Sequence, residues 1–204
     1  MNELFSIQLQ NRQQQGRDGV WLDLPTTTEQ VQAALRQIGI SSDNPQGLFI
    51  SGYFAEEEKR FAISYNMVLA SNVDELNFLA SRLETLSTGE RAELNAALQA
   101  PQSELFSIGR ITDFPENVDY YVHLPDVHGP AQLGDYYLNR SGMVDMPEEW
   151  KGGIDTAQFG RYVAQQEQGA FTQYGYLVKS GDEWQKVHEG QPVPEEYRVL
   201  SFPS

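Results

Sequence analysis

A chain of 204 residues can form one large domain or two to three small ones around modest cores. Fourteen Lys and Arg against 29 Asp and Glu leave a formal charge of −15 and a pI near 4.5, which disfavours direct binding to nucleic acid phosphates or to an anionic membrane surface. The 40% hydrophobic and 11% aromatic content is that of a folded protein rather than an acidic disordered tail, and the lack of cysteine excludes disulfides, thiolate nucleophiles and Cys-based zinc sites.

The N-terminus, MNELFSIQLQNRQQQGRDG, has no basic stretch leading into an apolar run, and no segment approaches eighteen apolar residues, so a soluble protein of the reducing cytoplasm is expected. Leu4 to Leu9 alternates apolar and polar residues as a half-buried strand does, and pairs in expectation with Val20–Leu24 across a Gln-rich turn. Pro25 closes the second strand. Thr26 offers an N-cap with Glu29 three residues on, opening a helix through about Ile38 with Val31, Ala34, Leu35 and Ile38 on one face. Gly39 is its stop, and Leu48–Phe54 returns as a strand, completing a β-β-α-β module.

The stretch 61–70 is apolar and reads equally as strand or helix. Asn72 caps a helix with Asp74 and Glu75 in its first turn and Leu76, Leu79, Leu83 and Leu86 on one face. Thr88–Leu98 reads as its antiparallel partner, with Glu90 and Glu93 on one side and Leu94, Ala97 and Leu98 on the other. Pro101 breaks the helix, and Leu105–Ile111 begins a third region, in which a strand at Asp119–Leu124 precedes Pro125. Helices are expected near 131–139 and 156–166, with a turn at Pro147 between them and one strand over Ala170–Val178. The fold class is therefore α+β, an elongated chain of three small units: an N-terminal α+β module (1–55), a mainly helical acidic middle (56–103) and a C-terminal α+β unit (104–178), followed by a weakly patterned tail (179–204).

Residues 113 to 167 contain ten acids but only Arg140, Lys151 and Arg161, a net of −7 over 55 residues. Two readings compete. The acids can be ordinary solvated faces. They can also stand in for phosphates: duplex DNA carries about one negative charge per 1.7 Å of axis, and a decoy needs carboxylates spread over several elements rather than gathered at one point. Arg161 fits neither reading and is expected to neutralise neighbouring carboxylates beside a packed helix face.

Catalytic patterns are sparse. His123, His128 and His188 are not at helical zinc spacing and no HExxH occurs; His123, Asp126 and His128 could ligate a metal from a loop or lie at the surface around Pro125. Glu148–Glu149 beside Trp150 resembles a glycosidase pair, but adjacent residues point apart and Trp150 is expected to pack. No GxGxxG, P-loop or GxSxG is present. Neither metal nor cofactor nor turnover is expected.

The stretch from Tyr120 to Leu177 carries a longer pattern. A Tyr-rich strand and Pro125 precede Leu133, Gly134, Tyr136 and Tyr137; Gly142 and Pro147 bracket a turn; Asp155, Phe159, Gly160 and Arg161 open a helix; Phe171, Thr172, Tyr174, Gly175 and Tyr176 close in a strand. This pattern resembles the third region of ArdA-type antirestriction proteins. GVWLDLP at 19–25 is similar to that family's first module and the helices of 72–98 to its acidic middle. The chain departs from the family at the turn before Trp21, where Gln-Asn-Arg-Gln-Gln-Gln-Gly-Arg-Asp-Gly replaces a Y-N-x-G-x-L-x-G pattern, and at Ser51–Phe54, where an acidic Asp-Tyr-Glu is absent.

The resemblance implies an elongated homodimer that imitates duplex DNA and occupies the DNA-binding groove formed by the specificity and methyltransferase subunits of a Type I restriction-modification enzyme. It implies no direct contact with nucleic acid or membrane. The carboxylates it puts forward are Asp74, Glu75, Glu84, Glu90 and Glu93 in the middle, and Asp113, Glu116, Asp119, Asp126, Asp135, Asp145, Glu148, Glu149, Asp155 and Glu167 in the third region. The alternative is an acidic interaction module that binds a protein through Tyr and Trp hot spots; an acid-pair hydrolase would instead need two carboxylates converging in one pocket.

Overall fold

A computed structural model of the chain describes residues 3–14, 18–57 and 60–203. In order, its elements are β1 (Phe5–Asn11), β2 (Val20–Leu24), α1 (Thr28–Gln37), β3 (Leu48–Phe54), α2 (Tyr65–Leu69), α3 (Val73–Glu84), α4 (Thr88–Gln99), α5 (Ile108–Thr112), β4 (Tyr121–Leu124), α6 (Pro130–Asp135), α7 (Glu148–Lys151), α8 (Thr156–Glu167), β5 (Ala170–Thr172) and β6 (Gly175–Lys179). A single π turn, Tyr136–Arg140, continues α6. The protein is mixed α+β with two three-stranded antiparallel sheets. Its packing divides into two compact units: residues 1–87, 105–116 and 186–204 form the first, and 88–104 and 117–185 the second.

In the first unit the β-β-α-β module is as expected, with strand order β2-β1-β3. Phe5, Ile7 and Leu9 alternate into the core, where Val31, Ala34 and Leu35 of α1 are also buried. The helix begins one residue later than the sequence suggests. Thr27, not Thr26, is the N-cap, and it exchanges hydrogen bonds with Gln30 rather than Glu29. The reason is tertiary: the Thr26 amide is already donated to the buried Asn77 side chain of α3 at 2.8 Å. Within the 61–70 stretch Tyr65–Leu69 form α2, while α3 is capped by Asn72 as expected, with Glu75 completing a capping box, and buries Leu76, Leu79 and Leu83.

In the second unit the strand order is β4-β6-β5. The segment expected as one strand over 170–178 is a hairpin instead, folded at Gln173 and Tyr174. Gly175 follows at φ +116°, where a Cβ would also meet the Leu124 carbonyl oxygen at 2.4 Å. Helix α4 belongs to this unit and packs on β4 and β6. Val127, Leu133, Ala164 and Tyr176 form the buried cluster beneath α6 and α8.

Helices α6 and α8 meet through paired glycines. A Cβ on Gly134 would lie 1.9 Å from the Thr156 carbonyl oxygen, and one on Gly160 would lie 1.8 Å from that of Pro130. The backbones touch directly at this crossing.

The weakly patterned tail is not loose. Residues 186–203 form a strap on the first unit, with one 3-10 turn at Glu195–Tyr197. Asp113 accepts the amides of Val187, His188 and Glu189 at 3.3, 2.6 and 3.2 Å. Asp74 accepts those of Val199 and Leu200, both at 2.7 Å. Asn77 donates to the Tyr197 carbonyl at 3.0 Å, and the Phe78 and Tyr197 rings pack at 4.6 Å.

Candidate functional site

The fifteen candidate carboxylates fall into physically distinct sets. Five are engaged by the fold. Asp113 is wholly buried, and Asp74 holds the far end of the strap. Glu116 pairs with Arg82, and Glu75 closes the cap of α3. Glu167 receives the hydroxyls of Tyr137 and Tyr176, the latter at 2.9 Å. Burial raises both tyrosine pKa values, so these phenols remain donors and Glu167 their acceptor.

Glu93 is a different case. One of its oxygens is buried without a hydrogen-bond partner, and desolvation, reinforced by Glu90 and Asp119, pushes its pKa up to about 8. The carboxyl is therefore largely protonated at neutral pH and contributes little negative charge. In the folded state it holds its proton to higher pH than in the unfolded chain, so stability declines as pH rises from the ordinary carboxylate range through about 8. Denaturation midpoints measured from pH 5 to pH 9 are expected to fall over that window in the native chain and to fall less in Glu93→Gln. An unchanged pH profile in the variant would remove this assignment.

The remaining acids lie outward or half-buried. Asp119, Asp126, Asp145, Glu148, Glu149 and Asp155 are exposed. Of these, Glu148 pairs with Lys151 at 2.6 Å and Asp155 caps α8 by accepting the Gln158 amide at 2.9 Å. Glu84, Glu90 and Asp135 are half-buried, and Asp135 is shared by Arg140 and Asn139. Within the second unit the exposed acids occur on the turn before β4, the β4–α6 connection, the 141–147 loop and α7. They are dispersed rather than convergent, and among the described residues no group of three His, Asp or Glu is placed to hold a metal.

The histidines have separate roles. The His123 ring bonds the Tyr174 carbonyl at 2.7 Å, His128 is exposed, and His188 packs edge-on to Phe78 in the first unit. Arg161 is exposed and has no ion-pair partner among the described residues, so it does not neutralise neighbouring acids; its neighbour Gly160 carries the packing instead. Trp150, expected to pack, is 68% exposed, and Met143 is 75% exposed. The signal for this was the Pro- and Gly-bounded run MPEEWKGG, too short to bury a large side chain against its own helix.

Fold and surface together define an acidic α+β protein whose carboxylates divide into a set that ties its chain together and a set displayed to solvent. The chain belongs to the ArdA family: the family model described as antirestriction protein (ArdA) matches residues 15–178. No curated protein matches the chain. Antirestriction, inhibition of restriction enzymes rather than a chemical transformation, is the function this membership implies. No helix among the described residues is long and apolar enough to cross a membrane.

Proposed function

We propose that the protein acts by DNA mimicry, presenting dispersed carboxylates to the basic groove formed by the specificity and methyltransferase subunits of a Type I restriction-modification enzyme. The observation that carries this reading is the spread of exposed acids, Asp119, Asp126, Asp145 and Glu149 foremost, over successive elements of the second unit. A groove built to neutralise phosphates recognises negative charge at intervals and requires no base readout to be blocked. The protein is further proposed to work as a cytoplasmic homodimer, needing no cofactor. Asp113 and Glu167 contribute through the fold, since both oxygens of each are already occupied, and Asp74 does so through the one oxygen that accepts two strap amides.

Salt discriminates this reading from an apolar docking mode, for which the exposed Met143 and Trp150 are the specific observation. The dissociation constant for a purified specificity–methyltransferase core is expected to rise clearly between about 50 and 200 mM salt, with a shallower slope than DNA shows on the same enzyme. Asp126→Asn, Asp145→Asn and Glu149→Gln are each expected to weaken binding by about 0–1 kcal/mol and to add when combined. Affinity that is flat in salt, with a large loss in Trp150→Ala, would replace mimicry with the apolar mode.

A further inference from the structure

The first unit contains a cavity of about 580 Å3 that the carboxylate display does not use. One wall is α3 and the α2–α3 connection, a second is the segment around α5, and the third is supplied by residues 188–193 of the strap, which lie outside the stretch matched by the family model. The volume is within the roughly 300–1,000 Å3 of small-molecule sites. We propose that this groove binds a small organic monocation with an apolar or aromatic body.

Met67, Phe78, Phe106, Ile108 and Val193 form the apolar lining of the groove. Phe106 is 64% exposed. Its ring already takes the Arg110 guanidinium over its face at 4.5 Å, which shows the kind of group an aromatic surface here accepts. The polar lining carries an imbalance of acceptors. Of the three lining hydroxyls, Ser71 donates to the Met67 carbonyl at 2.8 Å and Thr112 to that of Ile108 at 2.9 Å, while Ser107 accepts the Arg110 amide at 3.2 Å.

Of the two lining carboxylates, Glu189 is matched by Arg110 at 3.1 Å and Lys186 at 3.4 Å. Glu75 has no cationic partner among the described residues; one of its oxygens accepts the Asn72 amide at 3.3 Å. A single uncompensated carboxylate beside aromatic walls selects one positive charge on an apolar body. The wall supplied by the strap is held rigidly, because Asp113 grips residues 187–189.

The probes are phenethylammonium and its neutral isostere 2-phenylethanol, titrated into the intact 15N-labelled protein. Saturable amide shifts are expected at Ser107–Thr112 and His188–Val193, with phenethylammonium binding about tenfold tighter than the alcohol. Glu75→Gln retains the capping acceptor but removes the charge, and is expected to abolish that preference without changing the alcohol's affinity. Phe106→Ala, at an exposed ring, is expected to weaken both probes. Equal affinities for the two probes, shifts confined to other residues, or no saturation into the millimolar range would overturn the inference. These outcomes are independent of the proposed restriction-enzyme inhibition, which is assigned to exposed acids of the second unit.

Discussion

Gly160→Ala is expected to destabilise the second unit by about 3 kcal/mol or more, the upper end of what overpacking costs, because the added methyl meets a backbone oxygen rather than a movable side chain. The contact is 1.8 Å to the Pro130 carbonyl, and the 2.8 Å approach to the Gly134 amide nitrogen closes the other direction of escape. Relief requires α6 and α8 to separate, which opens the cluster of Val127, Leu133, Ala164 and Tyr176. Gly134→Ala should behave alike, since its methyl would lie 1.9 Å from the Thr156 oxygen. The control is Gly89→Ala in the first turn of α4, where nothing beyond its own turn lies within 4 Å; that change is expected to alter stability by no more than about 0.5 kcal/mol. Thermal melts resolve the difference at roughly 2–4 °C per kcal/mol. Equal melting temperatures for Gly160→Ala and Gly89→Ala would show that the helices do not touch at this crossing.

The second large effect is at Asp113. Its carboxylate, 0% exposed, accepts three consecutive amides of the strap. Asp113→Ala removes the acceptor of three part-buried strap amides, a loss of about 1–3 kcal/mol. Asp113→Asn keeps one accepting oxygen and should lose less. Hydrogen exchange at residues 187–189 is expected to speed up in both variants ahead of exchange in β1 and β3, since the strap is released before the sheet opens. An exposed acid such as Asp126 should change stability by no more than about 0.5 kcal/mol when replaced by Ala. A carboxylate displayed to a partner would give the reverse pattern at Asp113: unchanged exchange and weaker inhibition. That outcome would move Asp113 from the structural set to the displayed one.

The difference between those two aspartates explains how far the sequence could be read. Asp113 and Asp126 look alike in a string of acids, and both were natural candidates for phosphate mimicry. Nothing local distinguishes them, because what buries Asp113 is a segment more than seventy residues later in the chain. Glu93 is similar. Its helical position was legible, but its raised pKa arises from packing of α4 on a sheet whose strands begin at Tyr121. The capping of α1 shifted by one residue for the same kind of reason, since Asn77 claims the Thr26 amide from a distance.

By itself the sequence determined what depends on neighbours: the alternation that makes β1, the Asn72 cap and the apolar face of α3, the acidity, and the resemblance to the family whose model matches residues 15–178. Tertiary structure alone decided which carboxylates are displayed, where the chain divides into units and what the last residues do. The physical reason is that periodicity and capping are short-range, whereas desolvation of a charge and satisfaction of a buried amide depend on whichever distant segment arrives to cover them.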